Sequence, residues 1–142
     1  MEEMNINFVE ILVAVVANFI LGFLWYTPLF GKAWAKEMGF DTSTKPTGGQ
    51  MAKGMIIMVI GNFFLAYVFA HNIAAWNYVP GMDAMSPAMK IANATIFTWL
   101  GFYLPVDLNT VAWENKSWKL FAINTSFHFM MLLVAAVILT YM

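Results

Sequence analysis

The sequence predicts an all-α membrane protein, a four-helix transmembrane bundle, and three observations carry that expectation. Hydrophobic residues make up 61% of the 142 residues and charged ones only 11%, against about 45–50% and about 25% in ordinary soluble domains. The apolar residues gather into four stretches, each close to the roughly 20 residues that cover a bilayer core. Tryptophan and tyrosine collect where those stretches end, as they do at membrane–water interfaces. Too few charges remain to hold such a surface in water, and lipid is the solvent that matches it.

The first predicted span covers about residues 6–27, opens with Asn5 as its cap and stops before Pro28. It follows Met1-Glu2-Glu3-Met4, acidic where a secretory leader would be basic, so it reads as a retained helix. The second span covers about residues 54–73. The third covers about 86–106 and starts on Ser86-Pro87, a good N-cap and first-turn pair. The fourth covers about 120–141. None alternates as a strand would, and a spanning segment must satisfy its own backbone hydrogen bonds. The whole chain, 1–142, reads as one transmembrane domain.

Three loops separate the spans. Residues 40–50 are polar and Gly-rich, a flexible linker; 74–85 carry Trp76 and Tyr78; 107–119 carry Trp113 and Trp118. Lys32, Lys36, Lys45 and Lys53 lie in or beside the first loop, Lys116 and Lys119 in the third, and only Lys90 on the other side. The positive-inside rule then predicts cytoplasmic first and third loops and both termini outside. The expected location is the cytoplasmic membrane.

Several function classes fall away. The chain has no arginine and a net charge of −1, so it offers no basic stripe for nucleic acid. It has no cysteine, hence no thiolate ligand or nucleophile. Two histidines at opposite membrane levels do not make a metal site. No phosphate loop or serine-nucleophile context is present, and no cofactor is expected.

Polar groups inside a bilayer are costly and need a partner or a purpose. At 1.5 Å per residue, Asn18 and Asn62 fall roughly 12–14 Å from the cytoplasmic helix ends, with His128 and Thr98 at about that level. Asn124 shares a face with His128 at i, i+4 spacing. Asn18, Asn62, Thr98, Asn124 and His128 thus form a candidate polar layer. One reading is interhelical adhesion, at roughly 0.6–2 kcal/mol per hydrogen bond. The other is a site for a solute or proton, centred on His128. Asp107, at the cytoplasmic end of the third span, is expected to pair with Lys116, Lys119 or Lys32. Ala14, Asn18 and Gly22 form a small-residue stripe, with Gly61 and Ala135 as further points of close approach.

The run Trp25-Tyr26-Thr27-Pro28 forms the exit of the first span, where Pro28 must end or kink the helix. Residues 29–38 then read as a short interfacial helix capped by Gly39. Phe30 and Trp34 lie on one face, with Gly31 near its start, and Lys32 and Lys36 face anionic headgroups. Gly22-Phe23 and Gly101-Phe102 are each followed at equal offsets by Leu and by Ala-Trp, Leu29 with Ala33-Trp34 and Leu108 with Ala112-Trp113. That spacing suggests two tandem helical hairpins; the alternative is that any membrane exit favours these residues.

The stretch Trp25-Tyr26-Thr27-Pro28-Leu29-Phe30-Gly31-Lys32-Ala33-Trp34 resembles the signature of a bacterial family of small four-helix membrane proteins, domain of unknown function seventeen sixty-one. Trp99-Leu100-Gly101-Phe102, Asn109, Trp118 through Asn124 and Phe127-His128 are similar to its second half, with Phe127 where the family pattern has Tyr. The resemblance implies the topology and supplies no activity. The expectation is a non-enzymatic membrane protein acting as a homo-oligomer or as the subunit of a membrane-protein partner, in contact with lipid. The alternative is a small-solute or ion carrier or channel built on the polar layer.

Overall fold

The computed structural model describes residues 4, 6–41, 43–82 and 84–142. The expected cap Asn5, the acidic Glu2 and Glu3, and the loop residue Asp83 lie outside the described residues. Six α-helices and no strand occur among those described: α1 Phe8–Leu24, α2 Gly31–Met38, α3 Gly48–Trp76, α4 Pro87–Thr98, α5 Leu104–Ala112 and α6 Trp118–Tyr141. Two π-turns, Trp25–Leu29 and Trp99–Tyr103, join α1 to the α2 region and α4 to α5.

The helix starts follow from capping side chains. Asn7 caps α1 by accepting from the Val9 amide, and its own amide donates to Glu10 at 2.7 Å. Thr47 and Gln50 form a reciprocal capping box, so α3 starts at Gly48 rather than at residue 54. The expected linker shrinks accordingly, because two orphan donors satisfied at once outweigh the helix cost of Gly48-Gly49. Ser86 caps α4 with Pro87 in its first turn. Ser117 caps α6 by accepting from the Leu120 amide, so the helix starts at Trp118, two residues ahead of the expected start.

Among the described residues, three segments are long and apolar enough to cross a membrane: Phe8–Leu29, Gly48–Trp76 and Trp118–Tyr141. The third expected span differs. Its helix neither runs unbroken nor ends near Pro105; it passes the π-turn and continues as α5 to Ala112. Pro105 is tolerated because it falls in the first turn of α5, where a missing N–H costs least. Lys90, Asn93 and Asp107 make this segment less apolar than the other three.

Helix α6 is the hub. Helices α1, α2, α3, α4 and α5 all pack against it, and α1 also packs on α3. The core gathers Ile11, Ala14 and Val15 of α1, Ala66, Phe69 and Ala70 of α3, Ile91 of α4, and Leu132, Ala135 and Ala136 of α6. Alanine is frequent there because small side chains let helix backbones approach closely. Ala14, Asn18 and Gly22 are all buried, whereas Gly61 is exposed and a Cβ on it would meet nothing within 4 Å. Gly61 is therefore no point of close approach within the chain. From residue 51 to 61, α3 is exposed on nearly every side, with Ile56, Ile57 and Ile60 unpacked.

Candidate functional site

Each π-turn widens its helix by one residue and turns the following side chains onto α6. The Phe30 amide donates to the Trp25 carbonyl at 2.8 Å, and the Leu104 amide donates to that of Trp99. Such insertions recur at functional sites. Each begins with a tryptophan that reaches α6. Trp25 Nε1 donates to the Ile123 carbonyl at 3.1 Å, and Trp99 Nε1 to the Thr125 carbonyl at 3.0 Å. The π-turns match Trp25 with Trp99, whereas the motif spacing read as a tandem repeat matches Trp25 with Leu104. The repeat in that register is not what relates the two exits.

Beyond these two anchors on α6 lies a pair that no local pattern in the sequence announced. Asp107, in the first turn of α5, is only 6% exposed, and its Oδ2 lies 2.8 Å from His128 Nδ1. The lysine partners expected for Asp107 are not the ones it takes. The helix continues beyond Pro105, so Asp107 faces α6 rather than an interfacial loop. With Asp107 ionised its carboxylate only accepts, and Nδ1 then carries the imidazole proton and leaves Nε2 as the ring's acceptor. The Tyr103 ring packs on the imidazole with centroids 4.9 Å apart.

A second polar contact lies one turn earlier on α6. Tyr26 Oη donates to Asn124 Oδ1 at 3.1 Å, and the Tyr26 ring meets Phe127 edge-on at 4.9 Å. Among the described residues no hydrogen bond joins any two of Asn18, Asn62, Thr98, Asn124 and His128. Asn62 is buried on α3, and Thr98 is half-buried beside a cavity between α3 and α4. Asn18 is fully buried with both amide atoms unpartnered, as is the Thr95 hydroxyl one turn from Thr98. The residues that meet His128, Tyr103 and Asp107, come instead from the second π-turn and α5.

The interfacial motif forms a compact turn. A Cβ on Gly31 would stand 2.6 Å from the Tyr26 carbonyl oxygen, so only glycine fits where the chain doubles back after Pro28. Trp25 packs on Phe30 at 4.8 Å, and Trp34 meets Tyr26 edge-on at 5.3 Å. Gly39 ends α2 in the left-handed conformation, φ 72°. Lys32 and Lys36 point away from this cluster and are exposed. On the other face of α2, Glu37 accepts from the Ser117 hydroxyl at 2.6 Å, with Lys119 Nζ 3.8 Å away. No three His, Cys, Asp or Glu side chains converge as a metal site among the described residues.

The model of a family described as a protein of unknown function (DUF1761) matches residues 9–140, and the chain belongs to that family. No similar curated protein and no similar solved structure was found.

Proposed function

We propose that this DUF1761 member is a non-enzymatic integral membrane protein, a small-solute or ion carrier that exchanges protons at the Asp107–His128 pair. The observation that supports this reading is the 2.8 Å contact between a buried carboxylate and an imidazole near the middle of the hub helix. At 1.5 Å per residue His128 lies within about 3 Å of the midpoint of α6. Ionisable groups at such depth are expensive and mark ion or proton paths. Nε2 takes the proton in this exchange, and the Asp107 carboxylate neutralises the resulting imidazolium. In this reading residues 87–112 form the third of four spans, crossing as a helix widened by the π-turn. The protein then sits in the bacterial cytoplasmic membrane with both termini outside, as the lysine distribution favours.

Flux and stability together test the carrier. Purified protein in proteoliposomes should dissipate an imposed pH gradient, and His128→Gln should fold normally yet stop that dissipation. His128→Leu should lower stability by about 3–5 kcal/mol, because it strands a buried carboxylate. Undiminished proton flux in the glutamine variant would remove the proton-exchange role.

A second reading rests on a different observation. The unpacked stretch of α3 over residues 51–61 favours assembly into a homo-oligomer or onto a membrane-protein partner. Ile57→Cys should cross-link between copies in membranes if a second copy covers this face. Its failure, with the protein monomeric in nanodiscs, would leave lipid as the covering.

A further inference from the structure

On the opposite end of the molecule from the interfacial motif, the last turns of α3, the connection after it and α4 from Lys90 to Thr98 enclose a cavity of about 350 Å³. That size lies at the lower end of ligand pockets, roughly 300–1,000 Å³. Its walls are apolar, with Trp76, Met85 and Phe97 prominent, and it opens to the surface at Trp76 and Phe97, both exposed. Polar groups converge at one edge. Lys90 Nζ donates to Asn77 Oδ1 at 3.0 Å, and Asn93 Nδ2 makes its contact with the Met85 sulfur at 3.3 Å. An ammonium has three donors and a thioether is a weak acceptor, so this edge has donor capacity to spare.

The charge at this edge stands apart from the rest of the chain. Of the seven basic residues, all lysine, Lys90 alone lies at this end. Cations on the non-cytoplasmic side run against the usual bias of membrane proteins. A lysine placed there, at the rim of an apolar cavity that opens sideways, calls for an anionic group attached to an apolar tail.

We propose that the α3–α4 cavity binds an anionic glycerophospholipid, with its phosphate on Lys90, Asn77 and Asn93 and an acyl chain against Trp76, Met85 and Phe97. The site rests on the membrane reading but not on proton exchange at Asp107–His128, which lies elsewhere on the hub helix. Lipid binding and flux therefore fail separately.

Native mass spectrometry of the detergent-purified full chain tests the site, with phosphatidylglycerol and phosphatidylcholine of identical chains as probes. The expected result is at least about fivefold greater retention of phosphatidylglycerol. Lys90→Gln should erase that preference, and Ala94→Leu, which narrows the cavity, should reduce retention of both lipids. Lys119→Gln, at the other end of the molecule, should leave the preference intact. Folding of each variant is checked by its size-exclusion profile. Equal retention of the two lipids by the unaltered protein would overturn the proposal. So would a preference that survives Lys90→Gln or is lost in Lys119→Gln.

Discussion

Gly31 shows what the sharp turn at Pro28 demands of a single residue. Its missing Cβ is the space into which the Tyr26 carbonyl fits, 2.6 Å from where the atom would be. Because the neighbour is backbone, it cannot swing aside. Gly31→Ala should therefore destabilise the protein by about 1–3 kcal/mol, as overpacking does elsewhere. Gly61→Ala, with nothing within 4 Å, should be neutral or slightly stabilising. Melting temperatures in detergent compare the two directly, and equal losses would show that the turn relaxes around the methyl. The sequence names Gly31 within an interfacial motif, but its tight fit is a property of the fold. Asp107 is the sharper case. Its neighbours in sequence, Pro105 and the loop lysines, read as an interface, whereas its position on a continued helix makes it a buried partner for His128. The residue types at both positions were legible; the contact was not, because it depends on the helix surviving Pro105.

At the scale of elements, the long apolar segments are the legible part, since hydrophobic length alone specifies them. Their ends are less so. Thr47-Gly48-Gly49-Gln50 carries a capping box inside what composition reads as a linker, and local hydrogen bonding wins over the low helix propensity of glycine. The π-turns leave no periodicity to read, because one inserted residue shifts the register without changing composition. Their tryptophans are the visible trace. Trp25 and Trp99 each begin a π-turn and each donate to an α6 carbonyl, so they fasten α1 and α4 to the hub. Replacing either by Phe keeps most of the ring and removes the donor, at a cost of about 0.5–1.5 kcal/mol. Both acceptors lie on α6, two residues apart, so the double replacement measures how far the two anchors couple through the hub helix. Trp76→Phe, on the exposed wall at the far end, should change the unfolding midpoint little. A drop for Trp76→Phe as large as for the other two would mean that ring area, not the N–H, sets these effects.

At the scale of the whole molecule, the lysines gather at one end, and that asymmetry predicts an orientation. The Ser117–Glu37 hydrogen bond and the nearby Lys119 tie α2 to the start of α6, so the first and third connections share one end. Lys32, Lys36, Lys45, Lys53, Lys116 and Lys119 therefore all gather there. The Lys90–Asn77 contact marks the opposite end, where α3 gives way to α4. Lysine next to a membrane span is retained on the cytoplasmic side during insertion, so the six-lysine end should face inward. The chain has no native cysteine, so single engineered thiols report without background. A membrane-impermeant maleimide added to intact cells should label Val79→Cys, exposed beyond the end of α3, and spare Thr44→Cys in the first connection. After lysis both should react, which separates protection by the membrane from burial in the protein. The inverse pattern would place both termini inside. Labelling of both thiols in intact cells would mean dual insertion, and the charge difference between the ends would then not set orientation.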